Sequence, residues 1–495
     1  MLSTTLLLQV YSVDSRGRKR SAGSTVAGRP VELPHDASCV IEPRQILVGK
    51  DWDAIIALLR DFRIDGLIVE GQMLDAALER IARIEHLTYL GVQGSPFVTD
   101  AGILHLRHLQ RLEHLDLSGT GVTDRGLKVL GTLPRLRTFR CAHSPRTDAG
   151  FANLRHCHEL TRVDVMGTPS GDGTIAALAG KPVAHLKTGE LVTDDGLSYL
   201  SDLPAFQKWR GEAPDVAGWM SFEAEPTSLL VRGTLTDTGL TELAGLDGLF
   251  ALNLDDARLS VTTNGLRGLV DLPHLGWLAV DATNEAMPVI ASMPHLRFLA
   301  CQDTAVGDAG FTALSQSRSL QYLWGRRCHN LGSKGFASLA NIPTLRGLSV
   351  SCKNVADSAL GSLASFPALR EFMPMDVPDA GFQHIGKCVN LEALICMYCK
   401  DTTDKSTEHI AGLRRLRVYS AWTTQITDHS MEVLSGVDSL GEVVLHYTVG
   451  VTDDGLRHLA KLPQLEAITV DGLSRITDAG LASFAPNVRV NILTQ

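Results

Sequence analysis

LEHLDLSGTGVTDRGLKVLGTLPRL, residues 112–136, decides how the rest of the chain is read. Leu112, Leu115 and Leu117 fall at strand spacing, and Ser118-Gly119-Thr120 then turns the chain. Val122-Thr123-Asp124 leads into a short helical pattern carrying Leu127 and Leu130. Leu133-Pro134 closes the unit, and the next strand begins at Leu136. One such unit has too little apolar surface to fold alone, so it requires stacked copies of itself.

The copies are there. The helix-start signature recurs as Val98-Thr99-Asp100-Ala101-Gly102, Thr147-Asp148-Ala149-Gly150, Val192-Thr193-Asp194-Asp195-Gly196 and Leu235-Thr236-Asp237-Thr238-Gly239. It returns as Gly307-Asp308-Ala309-Gly310, Ile426-Thr427-Asp428, Val451-Thr452-Asp453-Asp454-Gly455 and Ile476-Thr477-Asp478-Ala479-Gly480, with weaker copies near Asp75, Asp172, Asp215, Asn264, Asn284, Ser333, Asp357, Asp379 and Asp404. The spacing is about 24 residues and the copies number about 17. Thr is a good helix N-cap, and Asp in the first turn suits the positive helix end. Gly is costly inside a helix, so its recurrence implies that the helix backbone approaches the neighbouring repeat closely.

On these residues the chain resembles the leucine-rich-repeat proteins, of the bacterial type with Gly-Thr after the strand. It is also similar to the cysteine-containing subclass, since Cys328 and Cys399 stand where Thr120 does. The resemblance implies an α/β fold: a right-handed horseshoe solenoid with a parallel β-sheet on the concave face and helices on the convex face. Three domains are expected: residues 1–34 a flexible N-terminal tail, 35–73 an N-terminal cap, and 74–495 the solenoid. Within the cap, 46–48 and 67–69 read as strands and 51–62 as an amphipathic helix. Lengths drift at 211–227, 255–264 and 281–287, where the arc is expected to be irregular.

Composition agrees with a folded, soluble body. Of 495 residues, 44% are apolar and 20% charged, which is ample material for a core. A net charge of −9 weighs against a general nucleic-acid binder. Nine cysteines, an odd number with several at repeat-core positions, point to a reducing, cytoplasmic setting. Leu6-Leu7-Leu8 is too short for a signal-peptide core, its basic residues lie on the wrong side, and no stretch approaches a membrane span.

Catalytic constellations are missing: there is no P-loop, HExxH, GxSxG or GxGxxG after a strand. Cys396 and Cys399 mimic a metal knuckle, but the repeat frame makes them a core and a turn position, so packing is expected and no metal or cofactor. Cys141 and His143 fall at a strand exit and His156, Cys157 and His158 before the next entry, at opposite sheet edges. His105 and His108 read as a surface pair. No enzyme is expected.

Recognition is then the default. Residues flanking the inward leucines point out from the sheet. In the first half they form a basic row, Arg140, Arg162, Lys187, Lys208, Arg210 and Arg232. In the second half they form an aromatic and methionine ridge: Trp277, Phe298, Tyr322, Trp324, Met373 and Met375, continued by Ile395, Met397, Trp422 and His446. Aromatic residues are only 5% of the chain, so placing them on a solvent-facing row implies a contact surface. The expected function is a non-catalytic scaffold holding a protein or peptide on its concave face, acidic groups of the ligand meeting the basic half. The alternative is a substrate receptor or effector of a ubiquitin-ligase-like system, for which residues 1–73 supply no clear F-box. Neither nucleic acid nor membrane is expected as a partner.

Overall fold

The computed structural model describes residues 1–14, 18–25, 30–209, 216–218, 221–222, 227–255, 258–260 and 262–492. The chain forms two units, one of Met1–Ala213 with Glu225–Leu275 and one of Pro214–Ala224 with Gly276–Gln495. In each, strand, turn and short helix alternate, and each strand pairs in parallel with the strand of the next repeat.

In the first unit the strands run Ser38–Pro43, Gly66–Ile68, Tyr89–Gly91, His114–Asp116, Thr138–Arg140, Arg162–Asp164, His185–Lys187, Ser228–Leu230 and Ala251–Asn253. Their central residues, Leu90, Leu115, Phe139, Val163, Leu186, Leu229 and Leu252 among them, pair one above another and are at most 1% exposed. In the second unit the same column holds Leu299, Leu323, Leu348, Phe372, Leu394, Tyr419, Val443 and Ile468. Each such side chain contributes roughly 1.5–3 kcal/mol when buried. These columns are the core that no repeat could enclose alone.

The helix starts are locked differently from the sequence expectation. Most of these Thr cap their own helix through the side chain, as Thr99 Oγ1 accepts from the Ala101 amide and Thr147 Oγ1 from the Ala149 amide, whereas Thr193 and Thr403 do not. The Asp, read as a partner of its own helix end, reaches instead to the next repeat. Asp75 accepts from the Thr99 amide at 2.8 Å and from its hydroxyl at 2.6 Å. Asp100 holds Thr123 the same way, Asp124 holds Thr147, and Asp172 holds Thr193. In the second unit Asp379 holds Thr403, Asp404 holds Thr427, Asp428 holds Thr452 and Asp453 holds Thr477.

The glycine two residues after the Asp completes this clamp. A Cβ on Gly150 would stand 2.3 Å from Asp124 Oδ1 and 3.0 Å from Asp124 Cα, and Gly102, Gly196, Gly239 and Gly480 are as tightly placed against the preceding repeat's Asp. The inferred close approach is therefore real, and its target is the clamping carboxylate. Where the motif changes, one side or both sides change: Asp148 and Asp308 keep the carboxylate but face the amides of Gly171 and Gly332. Asn284 replaces Asp and accepts only from the amides of Gly307 and Gly310. Ser333 accepts from the Ala356 amide, another partner without a hydroxyl. Pro378 takes the Thr position opposite Asp357 and has no N–H to donate.

Residues 1–34 are not a tail where they are described. Leu8–Val13 pairs antiparallel with Lys19–Ser24 on one side and Ser38–Pro43 on the other, which joins this hairpin to the parallel sheet. Leu8 and Val10 are fully buried, and Gln9 is held inside by Ser21, Ser24 and the Gly23 carbonyl. The basic residues lie on the hairpin's outer strand, where solvent accepts them. Further on, the helix spans Gly49–Asp61 and the next strand Gly66–Ile68, near their expected places. The strand expected at 46–48 is absent: Ile46 is exposed, and Ser38–Pro43 takes its place in the sheet.

Gly150→Ala should be destabilising although alanine favours a helix by up to about 1 kcal/mol, because the backbone clash costs about 1–3 kcal/mol. Urea unfolding followed by circular dichroism should show a lower midpoint, whereas Gly412→Ala, with nothing within 4 Å of the new methyl, should leave it unchanged. Acid should loosen the clamps. The Thr262 hydroxyl and amide lower the Asp237 carboxyl from its usual value. At Asp404 and Asp453 burial pushes upward but is outweighed by hydrogen bonds from Ser430 and Thr427, and from Thr477. A carboxylate depressed in the folded state contributes stability above its unfolded pKa of about 3.9 and loses it as pH falls through the lower folded value. Stability measured by urea midpoint should hold at neutral pH and fall steadily below about pH 4.

Candidate binding face

The second unit's sheet presents three rows of side chains on the face away from its leucine column. From Gly347–Ser351 onward its strands are five residues long, against three in most repeats of the first unit, so a third outward row is hydrogen-bonded into register. Ladder pairing gives a first row of Trp277, Phe298, Tyr322, Gly347 and Glu371. The second row runs Trp324, Ser349, Met373, Ile395 and Ser420 and the third Ser351, Met375, Met397, Trp422, His446 and Asp471. All ten ridge residues named from sequence thus stand on this face.

Their exposure differs from expectation. Only Trp277, Trp324 and Trp422 remain partly exposed, while Phe298, Tyr322, Met373, Met375, Ile395, Met397 and His446 are buried by their neighbours. Strands about 4.8 Å apart let large side chains lie across adjacent rows, and a continuous row of them covers itself. Met373, Met375, Ile395 and Met397 form an apolar cluster of their own, with Trp324 and Trp422 packed against it.

Polar groups fix this layer. Trp277 stacks on Phe298 with ring centroids 5.4 Å apart, and Phe298 on Tyr322 at 6.1 Å. Tyr322 then crosses Gly347 so that its hydroxyl donates to Glu371 Oε1 at 3.0 Å. Only glycine leaves room, since a Cβ at 347 would meet the ring at 2.3 Å. Burial, and then the Glu371 carboxylate, push the Tyr322 phenol well above its usual pKa. Trp422 Nε1 donates to Ser420 Oγ, and its ring lies 3.8 Å from that of His446, whose Nδ1 faces Asp471 Oδ2 at 2.9 Å. Three polar atoms of these rows are buried without a hydrogen-bond partner among the described residues: Trp324 Nε1 and the fully buried Ser349 Oγ, neighbours in the second row, and Asp471 Oδ1 in the third.

The basic row of the first unit is a charge ladder rather than a cationic strip. Arg140 lies between Asp116 and Asp164, and Asp164 also meets Lys187 at 3.3 Å. Arg232 pairs with Glu190. Arg162 stands in the neighbouring row, Lys208 is exposed, and Arg210 lies outside the described residues. Asp116 and Asp164 sit in the same outward row as Arg140 and Lys187, so acids and bases alternate along it.

Cysteine chemistry is quiet. All nine cysteines are buried and outside any disulfide, and among the described residues no group of three potential metal-ligating side chains converges. Burial pushes the thiols of Cys141, Cys157, Cys388 and Cys399 up to about 11, far from the reactive thiolate range. Cys328 and Cys399 do fill the buried turn position of Thr120, each following a residue in the left-handed region. Among the described residues no helix is long and apolar enough to cross a membrane. Most of residues 212–225, where the repeat length drifts, lies outside the described residues.

Residues 104–131 match the family model described as Leucine Rich repeat. The chain is a leucine-rich-repeat protein. No curated protein matches its sequence. Among solved structures, this leucine-rich-repeat chain is similar to one from the complex of Rad7 and Elc1 in yeast, at 17% identity and a TM-score of 0.45, over 65% of this chain and 84% of that one. It is similar to a leucine-rich-repeat protein of Leptospira interrogans, at 14% identity and 0.37, over 83% and 97%. An internalin of Listeria monocytogenes is similar at 17% and 0.33, over 80% and 88%.

Gly347→Val should displace the Tyr322 ring, break its bond to Glu371 and cost about 1–3 kcal/mol in urea unfolding. In a double-mutant cycle, Tyr322→Phe should then cost much less in the Gly347→Val background than in the native one.

Proposed function

We propose that this protein is a non-catalytic interaction scaffold whose outward sheet face in the second unit holds a protein or peptide partner. The observation that carries the reading is the apolar layer of methionines and isoleucine flanked by Trp324 and Trp422. Such a layer is unnecessary for the fold, which already has its leucine column, and tryptophan with methionine is the chemistry enriched at interface centres. The contact residues are chiefly Trp277, Trp324 and Trp422, and the buried ridge members act by holding them. The paired basic row has no part in this reading.

Residues 1–73 serve as the N-terminal cap, closing the apolar end of the first repeat. Their strands and single helix continue the sheet, and nothing in them favours the adaptor reading of a ubiquitin-ligase component.

Affinity capture with the intact chain, compared with the Trp324→Ala, Trp422→Ala double variant and with surface variant Lys128→Ala, tests the face. The double variant should keep its circular dichroism and lose the proteins that the other two retain. Identical capture by all three would remove the tryptophan face from consideration.

A further inference from the structure

We infer that a cleft in the first unit is a binding site for a small molecule carrying two or more phosphate groups. The cleft has a volume of about 960 Å³ and lies where three successive helices run down into their strands. Arg60, Arg63, Arg83, Arg107 and Arg111 all line it. Glu85 is the one carboxylate among the lining residues, and Ile84 is the one aliphatic.

Five guanidinium groups around one cavity repel one another, and a chain with net charge −9 is not short of acids to place among them. Among the described residues only Arg83 has a carboxylate partner, the Glu79 on its own helix. The nearest local explanation is that cations suit helix C-termini. Other helix-to-strand loops carry at most one or two arginines, such as Arg135, Arg155, Arg318 and the pair Arg414-Arg415, and those at 341–344, 365–368 and 435–439 hold none. The cluster is thus not a requirement of the repeat.

Arg63 shows the same preference against local convenience. It follows the Gly49–Asp61 helix at φ 48°, the left-handed position that glycine ordinarily takes after a helix. A side chain there strains the backbone, and this one projects into the cleft lining.

Chemistry and size then select the ligand. Arginine forks match phosphate oxygens with paired hydrogen bonds, and several forks around one cavity favour an anion of several charges. The volume is that of a small-molecule site. No Phe, Tyr or Trp lines the cleft to stack bases, which disfavours single-stranded nucleic acid.

Calorimetric titration of the full chain with sodium tripolyphosphate, inorganic pyrophosphate and orthophosphate tests the assignment. Tripolyphosphate should bind more tightly than orthophosphate, and its affinity should fall as salt rises. Arg63→Gln combined with Arg111→Gln should weaken it by about tenfold or more without altering the urea midpoint, whereas Arg155→Gln, outside the cleft, should not change it. Absence of tripolyphosphate binding at low salt, equal binding by the double variant, or orthophosphate binding as tight as tripolyphosphate would each overturn the assignment. So would displacement of bound tripolyphosphate by an oligoglutamate peptide or a single-stranded oligonucleotide at lower concentration than pyrophosphate requires, since that would make a macromolecule the occupant.

Discussion

The carboxylate clamp between successive helix starts is the interaction on which everything else in this protein rests. Stacked apolar columns are non-directional and would tolerate sliding of one repeat on the next. Two hydrogen bonds from one Thr to one Asp of the preceding repeat do not tolerate it, and the glycine beside them sets how close the turns lie. Strand register follows from that spacing. So does the arrangement of side chains into rows on the outward face, because a one-residue slip would exchange outward and inward residues.

The clamp also explains why its motif varies as it does. An aspartate needs a partner with both an amide and a hydroxyl to use both oxygens, and Thr supplies them. An asparagine has one accepting oxygen, and the partner of Asn284 is a glycine with an amide alone. The pairing is not strict: Asp308 keeps its carboxylate against Gly332, and Asp357 faces Pro378.

Much of this was legible from the chain. Leucine spacing announces the strand and the turn, Thr announces the helix cap, and recurrent Gly announces a close approach. The owner of that approach was not legible, because Asp124 and Thr147 are brought together by coiling and look unrelated in the line of sequence. The same distance hid the fate of the ridge: Met373 and Ile395 are buried by residues one repeat away, which their own strands do not reveal. The N-terminal hairpin escaped notice because Lys19–Ser24 is a polar outer strand with no apolar alternation to mark it. The arginines at 60, 63, 83, 107 and 111 were unremarkable one by one, and only their convergence from the helix ends and following loops of three adjoining turns onto one cleft carries a signal.

Pro378 has a mechanical meaning. A solenoid under tension is a series of links, and such a series yields where a link is weakest rather than at its ends. Every Thr in the clamp resists peeling with two directional bonds, but at Pro378 the backbone nitrogen offers none to Asp357. Beside this joint the apolar side chains of Leu360 and Val377 both crowd against Gly381. If the protein is pulled, or if a large partner bends its inner face, this joint is the natural hinge, and it lies between the strands that carry Ser349 and Met373 at the middle of the tryptophan-flanked layer.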